Sequence, residues 1–441
     1  DHPCGHGMTR RERRQRIIDA LRKDQPAPLN SPDHYNPMEV AAMLRDIGIA
    51  LVEVAQPTPV VEARLQQIAS RYTSEAVRVV VLPTMLLIQI GEDGYQIEGS
   101  THSSLQLDAA GRIDDIAGLA GAGAISPTDA IKAVNAARNL RPRFGSLSTI
   151  IGYAVTTVGF GMVINPTWAA LPGYLLLGLV VGAVVQMSRP FPSLTPVLPT
   201  IAAAIVTVMA IEFVDATAND GLLRVISPAL VATLPGMSLT IGAMELASSQ
   251  IISGASRLVY GMSQLALLVF GVSIGVHIAG EVSPQTPSAV MGPWSLYLAI
   301  VVVSLGLYVY LSAPRGSLWW LMAAIGVALL AQAAAGTVMS ASHSGFVGAI
   351  VAVPFAMLAA RIKTSPPAIV MMLAAFWSLV PGALSFEAVG EAAAGGGPGA
   401  TSLAVTGAAI LSIALGTLVG WTVFHTIDAR LPWSKGLGHQ S

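Results

Sequence analysis

The chain has 441 residues, 53% hydrophobic and only 11% charged, with a mean hydropathy of +0.64 and a formal net charge of −1. Soluble proteins carry about 25% charge, so soluble globular, disordered and disulfide-rich secreted classes are excluded, and the balanced charge gives no argument for nucleic acid. A single cysteine, Cys4, rules out an internal disulfide.

The charges are unevenly placed. The first 146 residues hold 33, whereas the last 295 hold eight Lys/Arg and eight acids. This predicts a polar domain followed by an integral membrane domain. The expected division is a basic segment and linker (1–35), an α/β domain (36–145), a first membrane unit (146–285), a second (290–428) and a tail (429–441). The chain opens on Asp with no signal-peptide pattern. His2 and His6 flank Cys4 in what reads as a tail rather than a metal site.

RRERRQRIIDALRKDQ reads as a short basic helix, suited to anionic lipid or to plain solvation. Apolar periodicity predicts helices at 37–56 and 59–73. AVRVVVLPT, MLLIQIGE, YQIEGST and SLQLD read as strands, with a hairpin turn at GEDG (Glu92, Asp93, Gly94). Helices at 111–122 and 127–140 complete a small domain that shows no catalytic pattern. Regulation, gating and subunit contact are its open roles.

Ten stretches then reach the roughly 20 apolar residues needed to cross a bilayer: 147–165, 167–187, 193–213, 225–247, 257–280, 294–312, 317–338, 345–361, 367–387 and 403–425. With the polar domain inside, the inner loops hold Arg138, Arg141, Arg143, Arg189, Arg257, Arg315, Arg361, Lys363, Arg430 and Lys435, against Arg224 alone outside. The outer loops hold the acids Asp215, Asp220, Glu281, Glu387 and Glu391. This positive-inside bias predicts a multi-pass membrane protein with both termini cytoplasmic.

LPGMSLTIGAMEL (Pro235, Gly236, Glu245) and VPGALSFEAVGE (Pro381, Gly382, Glu391) each place a glutamate ten residues after a proline, at an offset of 146. The first spans of the two halves are offset by a similar distance. Two five-span units in tandem are predicted, and an odd number of spans inverts the second. Such repeats commonly hold a transport site at their interface. Proline removes a backbone donor inside a span, and the freed groups must find partners. The two Pro-Gly steps, with Ser238, Thr240 and Ser385 after them, are therefore the candidate substrate ligands. Helix N-terminal N–H groups suit a carboxylate, and freed carbonyls suit an ammonium.

Ionisable groups within spans are usually functional. Glu245, Glu212 and His277 are the proton-coupling candidates. Arg257 and Glu391 are the ion-pair or gate candidates, with Arg257 placed to pair with Glu245. Gln186, Gln264 and Gln332 suit interhelical hydrogen bonds, and Gly178/Gly182 and Gly271/Gly275 suit close helix packing. No metal cluster, nucleophile or phosphate-binding GxxxxGK[ST] pattern is present in the sequence, and HSG at His343 is not catalytic. No cofactor is expected.

The residues resemble the threonine/serine exporter family from about 38 to 428. The likeness rests on MLRDIGIALVEVAQPTPVVEARLQQIASRY, on PGMSLTIGAMEL…SGASRL at 235–258 and on AARIKTSPPAIV…LVPG at 359–382. The resemblance implies a non-enzymatic inner-membrane exporter of threonine, serine or similar amino acids, driven by the proton motive force. Its partners would be the amino acid, protons and membrane lipid, with a homo-oligomer open. Pro235, Gly236 and Arg257 match the first motif, and Pro381 and Gly382 the second. Glu245 stands where the family often has Asp, Glu387 where a basic residue is common, and the AQPTP run where a small residue is expected. A dicarboxylate carrier of the same fold and a membrane sensor with a ligand-binding domain are the alternatives.

Overall fold

The computed structural model describes residues 22–23, 26–91, 93–98, 106–280, 287–379, 381–393 and 399–430. The expectations for His2, Cys4, His6, Glu92, Glu281, Lys435 and most of the basic segment lie outside the described residues. At Arg22 the backbone is in an extended bridge to Ile362, not a helix.

The soluble domain begins with α1 (Pro37–Glu53), whose N-cap Asn36 accepts the Met38 N–H at 2.9 Å. After α2 (Thr58–Ala69), β1 (Val77–Val81), β2 (Met85–Ile90) and β3 (Asp93–Glu98) form an antiparallel sheet in the order β1-β2-β3. Alternation buries Val79, Val81, Leu86, Ile88 and Ile90 beneath α1 and α2. Ile90 pairs with Asp93, so Asp93 and Gly94 belong to the strand rather than to the expected turn. α3 (Leu107–Gly121) and α4 (Pro127–Arg138) follow. The strand expected over SLQLD is corrected at its described end. Leu107 and Asp108 open α3, and their N–H groups donate to Leu311 and Ser312 carbonyls, so a tertiary contact overrides the local alternation. Arg138 grips Glu53 through two hydrogen bonds of 2.7 and 2.8 Å, tying α4 to α1.

The membrane part runs α5 (Ser146–Ile164), α6 (Leu171–Ser188), α7 (Leu198–Phe213), the short α8 (Ala216–Asp220) and α9 (Leu222–Ile226), a 3₁₀ turn (Ser227–Leu230), α10 (Gly236–Ala247) and α11 (Ile251–Ala279). It continues with α12 (Ser295–Tyr310), α13 (Leu318–Gly336), α14 (Ala341–Ala359), α15 (Ala368–Ser378), α16 (Pro381–Ala393) and α17 (Gly399–Arg430). Among the described residues six helices (α5, α6, α11, α13, α14 and α17) are long and apolar enough to cross a membrane. α7 and α12 are shorter, at 16 residues each. The expected fourth and ninth spans are not single helices. Pro228 and Pro235 interrupt the fourth, and the ninth restarts at Pro381, because proline cannot donate to the preceding turn.

Helix packing repeats along the chain. α7 and α11 run parallel, with Gly271 against Thr200 and Gly275 against Ala204 and Thr207. α14 and α17 also run parallel, with Gly416 against Phe346 and Gly420 against Ile350 and Val353. α5 and α12 cross antiparallel, with Gly152 on Val309, Thr156 on Gly306 and Gly159 on Val303. The soluble core continues into this part through Leu307, Leu311, Ala313 and Val370.

Candidate functional site

Each Pro-Gly step heads a helix. Pro235 is the N-cap of α10 and gives it no side-chain cap, and Pro381 is the first residue of α16. A helix start leaves four N–H groups without intrahelical partners. At α10 this start is buried, since Pro235 and Gly236 are both inaccessible. One turn on, the Thr240 hydroxyl is buried with no hydrogen-bond partner among the described residues. α10 packs on α16 and α17, and α16 packs in turn on α11. Leu239 and Ala243 of α10 share an apolar cluster with Phe386 of α16 and Ile410 and Ala414 of α17. The interrupted stretch before α10 is held from within. The buried Tyr153 hydroxyl donates to the Ala229 carbonyl at 2.6 Å, and its ring meets Tyr310 edge-on. A carbonyl freed by a broken helix thus gains the partner that an apolar medium demands.

The second feature lies at the end of α10 next to the soluble domain. Glu245 is fully buried, and Arg257 Nε donates to both its oxygens at 3.1 and 3.2 Å. The two residues are twelve apart, but the Ser248–Gln250 turn folds α11 back along α10. Gly242 and Gly254 meet at the crossing, where a Cβ on either would lie 3.0 Å or less from the other's carbonyl oxygen. The third partner comes from the soluble domain: the Thr58 N–H, first in α2, donates to Glu245 Oε1 at 2.9 Å. All three donated hydrogen bonds suit an ionised carboxylate. Arg257 Nη2, Thr58 Oγ1 and Ser253 Oγ, one turn before Arg257, are buried without hydrogen-bond partners among the described residues.

At the far end of α5 a second polar cluster ties the end of α8 to the α5–α6 loop and to the stretch leading into α12. Asp220 accepts from Thr167 Oγ1 at 2.7 Å, from Asn165 Nδ2 at 3.2 Å and from the Ser288 N–H at 3.1 Å. Burial alone would raise the Asp220 pKa, but these hydrogen bonds together outweigh it and hold it below the usual carboxylate value. Nearby, the Ser227 hydroxyl donates to Glu387 Oε1 at 2.9 Å, joining the 3₁₀ turn to α16.

The family model described as "Putative threonine/serine exporter" matches residues 42–279, more than half of the chain, while searches of curated proteins and of solved structures found no match. The chain belongs to the threonine/serine exporter family. A transporter family and six helices of spanning length make it a multi-pass membrane protein. The matched stretch of this exporter-family chain runs from α1 through α11 and so contains Thr58, Pro235, Gly236, Glu245 and Arg257.

The structure joins Glu245 with Arg257, and it brings the helices headed by Pro235-Gly236 and Pro381-Gly382 together. Ser238 is half-buried on α10, and Ser385 is fully buried on α16. Glu212 and His277 are exposed at the ends of α7 and α11. His277 lies twenty residues beyond Arg257 on one helix, which is roughly 30 Å at 1.5 Å per residue, so neither joins the Glu245 cluster. Glu391 falls in α16, and its side chain is not among those described. Gln186 makes the expected interhelical bond, to Ser146 at 2.8 Å. Among the described residues no group of three or more His, Cys, Asp or Glu could hold a metal ion. Sequence reasoning missed Thr58, Tyr153 and the Asp220 cluster. For Thr58 the only local signal was its place at the start of α2, just after Pro57.

Proposed function

We propose that this protein is a secondary active exporter of small polar amino acids such as threonine and serine, coupled to proton entry. In this reading α5–α11 and α12–α17 form two inverted units, and alternating access occurs between them. The antiparallel crossing of α5 and α12 and the shared glycine packing of the two halves support the inversion. The observation that carries the function is the start of α10. It is a buried, uncapped helix N-terminus beside an unpartnered Thr240 hydroxyl, packed on the helix that Pro381 heads. A substrate carboxylate suits those N–H groups. A zwitterion is favoured over a dicarboxylate because the nearby cation, Arg257, is already paired with Glu245.

Glu245 is the coupling group of this mechanism. Ionised, it holds Arg257 and caps α2, which keeps the soluble domain against the mouth of the site. With the soluble domain inside the cell, that is the cytoplasmic mouth. A proton arriving from outside neutralises Glu245 and releases both partners, and the mouth opens. Release of that proton and entry of substrate restore the latch and turn the site outward. The order matches antiport.

The test is counterflow of labelled threonine, serine and succinate in proteoliposomes, with and without a pH gradient. Threonine or serine exchange accelerated by an inward proton gradient supports the reading. Succinate exchange alone identifies the dicarboxylate carrier, and no exchange of any of the three leaves the membrane-sensor reading.

A further inference from the structure

A cleft of about 420 Å³ lies where the soluble domain meets the loops before α13 and α15, and neither Pro-Gly step lines it. Two loops line it: one leads into α13 through Pro314, Arg315 and Ser317, and the other leads into α15 through Lys363 and Pro367. Lys23 and Asp115 of α3 line its soluble side. Lys23 is held there by its backbone, for its N–H donates to the Arg361 carbonyl at 3.0 Å and Arg22 bridges Ile362.

Among the described residues the lining is cationic, with Lys23, Arg315 and Lys363 set against one carboxylate, Asp115. Two helix starts add to it. Ser317 and Pro367 are the N-caps of α13 and α15, 19 and 11 residues long, and neither supplies a side-chain cap. The Ser317 hydroxyl donates instead to the Pro314 carbonyl at 2.7 Å. The positive ends of two helices therefore lie at the same cleft as three cationic side chains, an arrangement that favours an anion. Trp319, in the first turn of α13, is strongly exposed. Tryptophans so placed mark the headgroup level of a bilayer.

We propose that this cleft binds a phosphate-bearing anion, whether the headgroup of an acidic phospholipid or a free phosphate compound. Bound there, the anion ties Lys23 and the α3 face of the soluble domain to the loops before α13 and α15. It steadies the docked domain at a place distinct from the Glu245 latch. The inference does not depend on the cargo of the exporter. Among the described lining residues Asp115 is the repulsive group.

The experiment uses the full chain in nanodiscs, with the thermal unfolding midpoint as readout, since a ligand that binds the folded state raises it. One arm titrates inorganic phosphate into phosphatidylcholine discs. The other replaces part of the phosphatidylcholine with phosphatidylglycerol. A rise with phosphate alone assigns a soluble ligand, a rise with phosphatidylglycerol alone assigns a lipid headgroup, and either supports the site. The double variant Arg315→Gln/Lys363→Gln should weaken binding about tenfold or more. Asp115→Asn should tighten it by up to about fivefold, a gain that misfolding cannot mimic. Arg189→Gln, an exposed cation outside the cleft, should leave it unchanged. The proposal is overturned if neither ligand shifts the wild type. It is equally overturned if the double variant binds as the wild type does, or if Arg189→Gln weakens binding as much as the double variant.

Discussion

Glu245 caps a helix that begins 187 residues before it: its Oε1 accepts the Thr58 N–H at 2.9 Å while Arg257 holds the carboxylate from the other side. One buried carboxylate thereby joins the soluble domain to the helical hairpin that follows the first Pro-Gly step. An anionic group at a helix N-terminus contributes up to about 2 kcal/mol when partly buried. The buried ion pair adds little net stability, because desolvation offsets the Coulomb term, but breaking it on one side is costly. The arrangement therefore suits a switch better than a simple brace.

Removal of the carboxylate should reveal this. Glu245→Ala leaves Arg257 largely buried and unpaired, which costs up to about 3–5 kcal/mol. Glu245→Gln keeps the shape and lacks the charge. It should abolish acceleration by a proton gradient and speed hydrogen exchange at the start of α2, with the sheet unaffected. Gradient-driven efflux at the wild-type rate in Glu245→Gln would remove this residue from the coupling.

The Pro-Gly steps make a separate prediction. Thr240→Val deletes a buried, unpartnered hydroxyl without changing shape, so stability should hold or improve while the KM for substrate rises about tenfold. Gly382→Leu should block transport by filling the start of α16. Kinetics in proteoliposomes check both, and unchanged KM in Thr240→Val would move the substrate away from α10.

The α10–α11 crossing should be intolerant of bulk. A side chain at Gly254 must displace Gly242 and Leu246 backbone, so Gly254→Val should lose about 1–3 kcal/mol through overpacking. Gly336→Ala, where no atom lies within 4 Å of the added carbon, should change little. Thermal unfolding of the two variants in the same detergent makes the comparison.

At the far end, three donors converge on Asp220. Asparagine would turn an NH₂ toward donors, so Asp220→Asn should cost about 1–3 kcal/mol and loosen residues 287–291. The folded pKa lies below the ordinary 3.8, so this contribution is present above pH 3.8 and is lost as pH falls through the folded value. Stability measured between neutral and acid pH should fall less steeply in the variant.

Tyr72 gives an alkaline prediction. Its buried hydroxyl donates to the Ile125 carbonyl at 2.6 Å. Burial, aided by Tyr35, pushes its pKa up from 10.0 to about 12 despite that bond. The folded state holds the phenol proton more tightly than the unfolded state. Its contribution is therefore fully present below pH 10 and declines as pH rises toward about 12. Tyr72→Phe should lose about 1 kcal/mol at neutral pH and show a shallower alkaline decline in soluble-domain unfolding.

Much of the molecule was legible in residue order alone. Apolar length located the six helices long enough to span, though it counted ten stretches, and the helix–helix–sheet–helix–helix order of the soluble domain follows its periodicity. The Pro-Gly steps marked where helices restart, and the twelve-residue spacing of Glu245 and Arg257 foretold their pairing. Hydropathy could not separate a continuous span from a broken one, because 225–247 and 367–387 stay apolar across their interruptions. It also left Glu212 and His277 as coupling candidates behind Glu245, although they lie exposed at helix ends.

The sequence by itself therefore determined the membrane class and the places where the helices break, since these depend on hydrophobic length and on the missing proline N–H. Only the tertiary structure decided that α2 rests on Glu245, that α10 meets α16 and that Asp220 gathers its three donors. Those partners lie tens to hundreds of residues apart, and their meeting is set by the path of the whole chain, which no local spacing encodes.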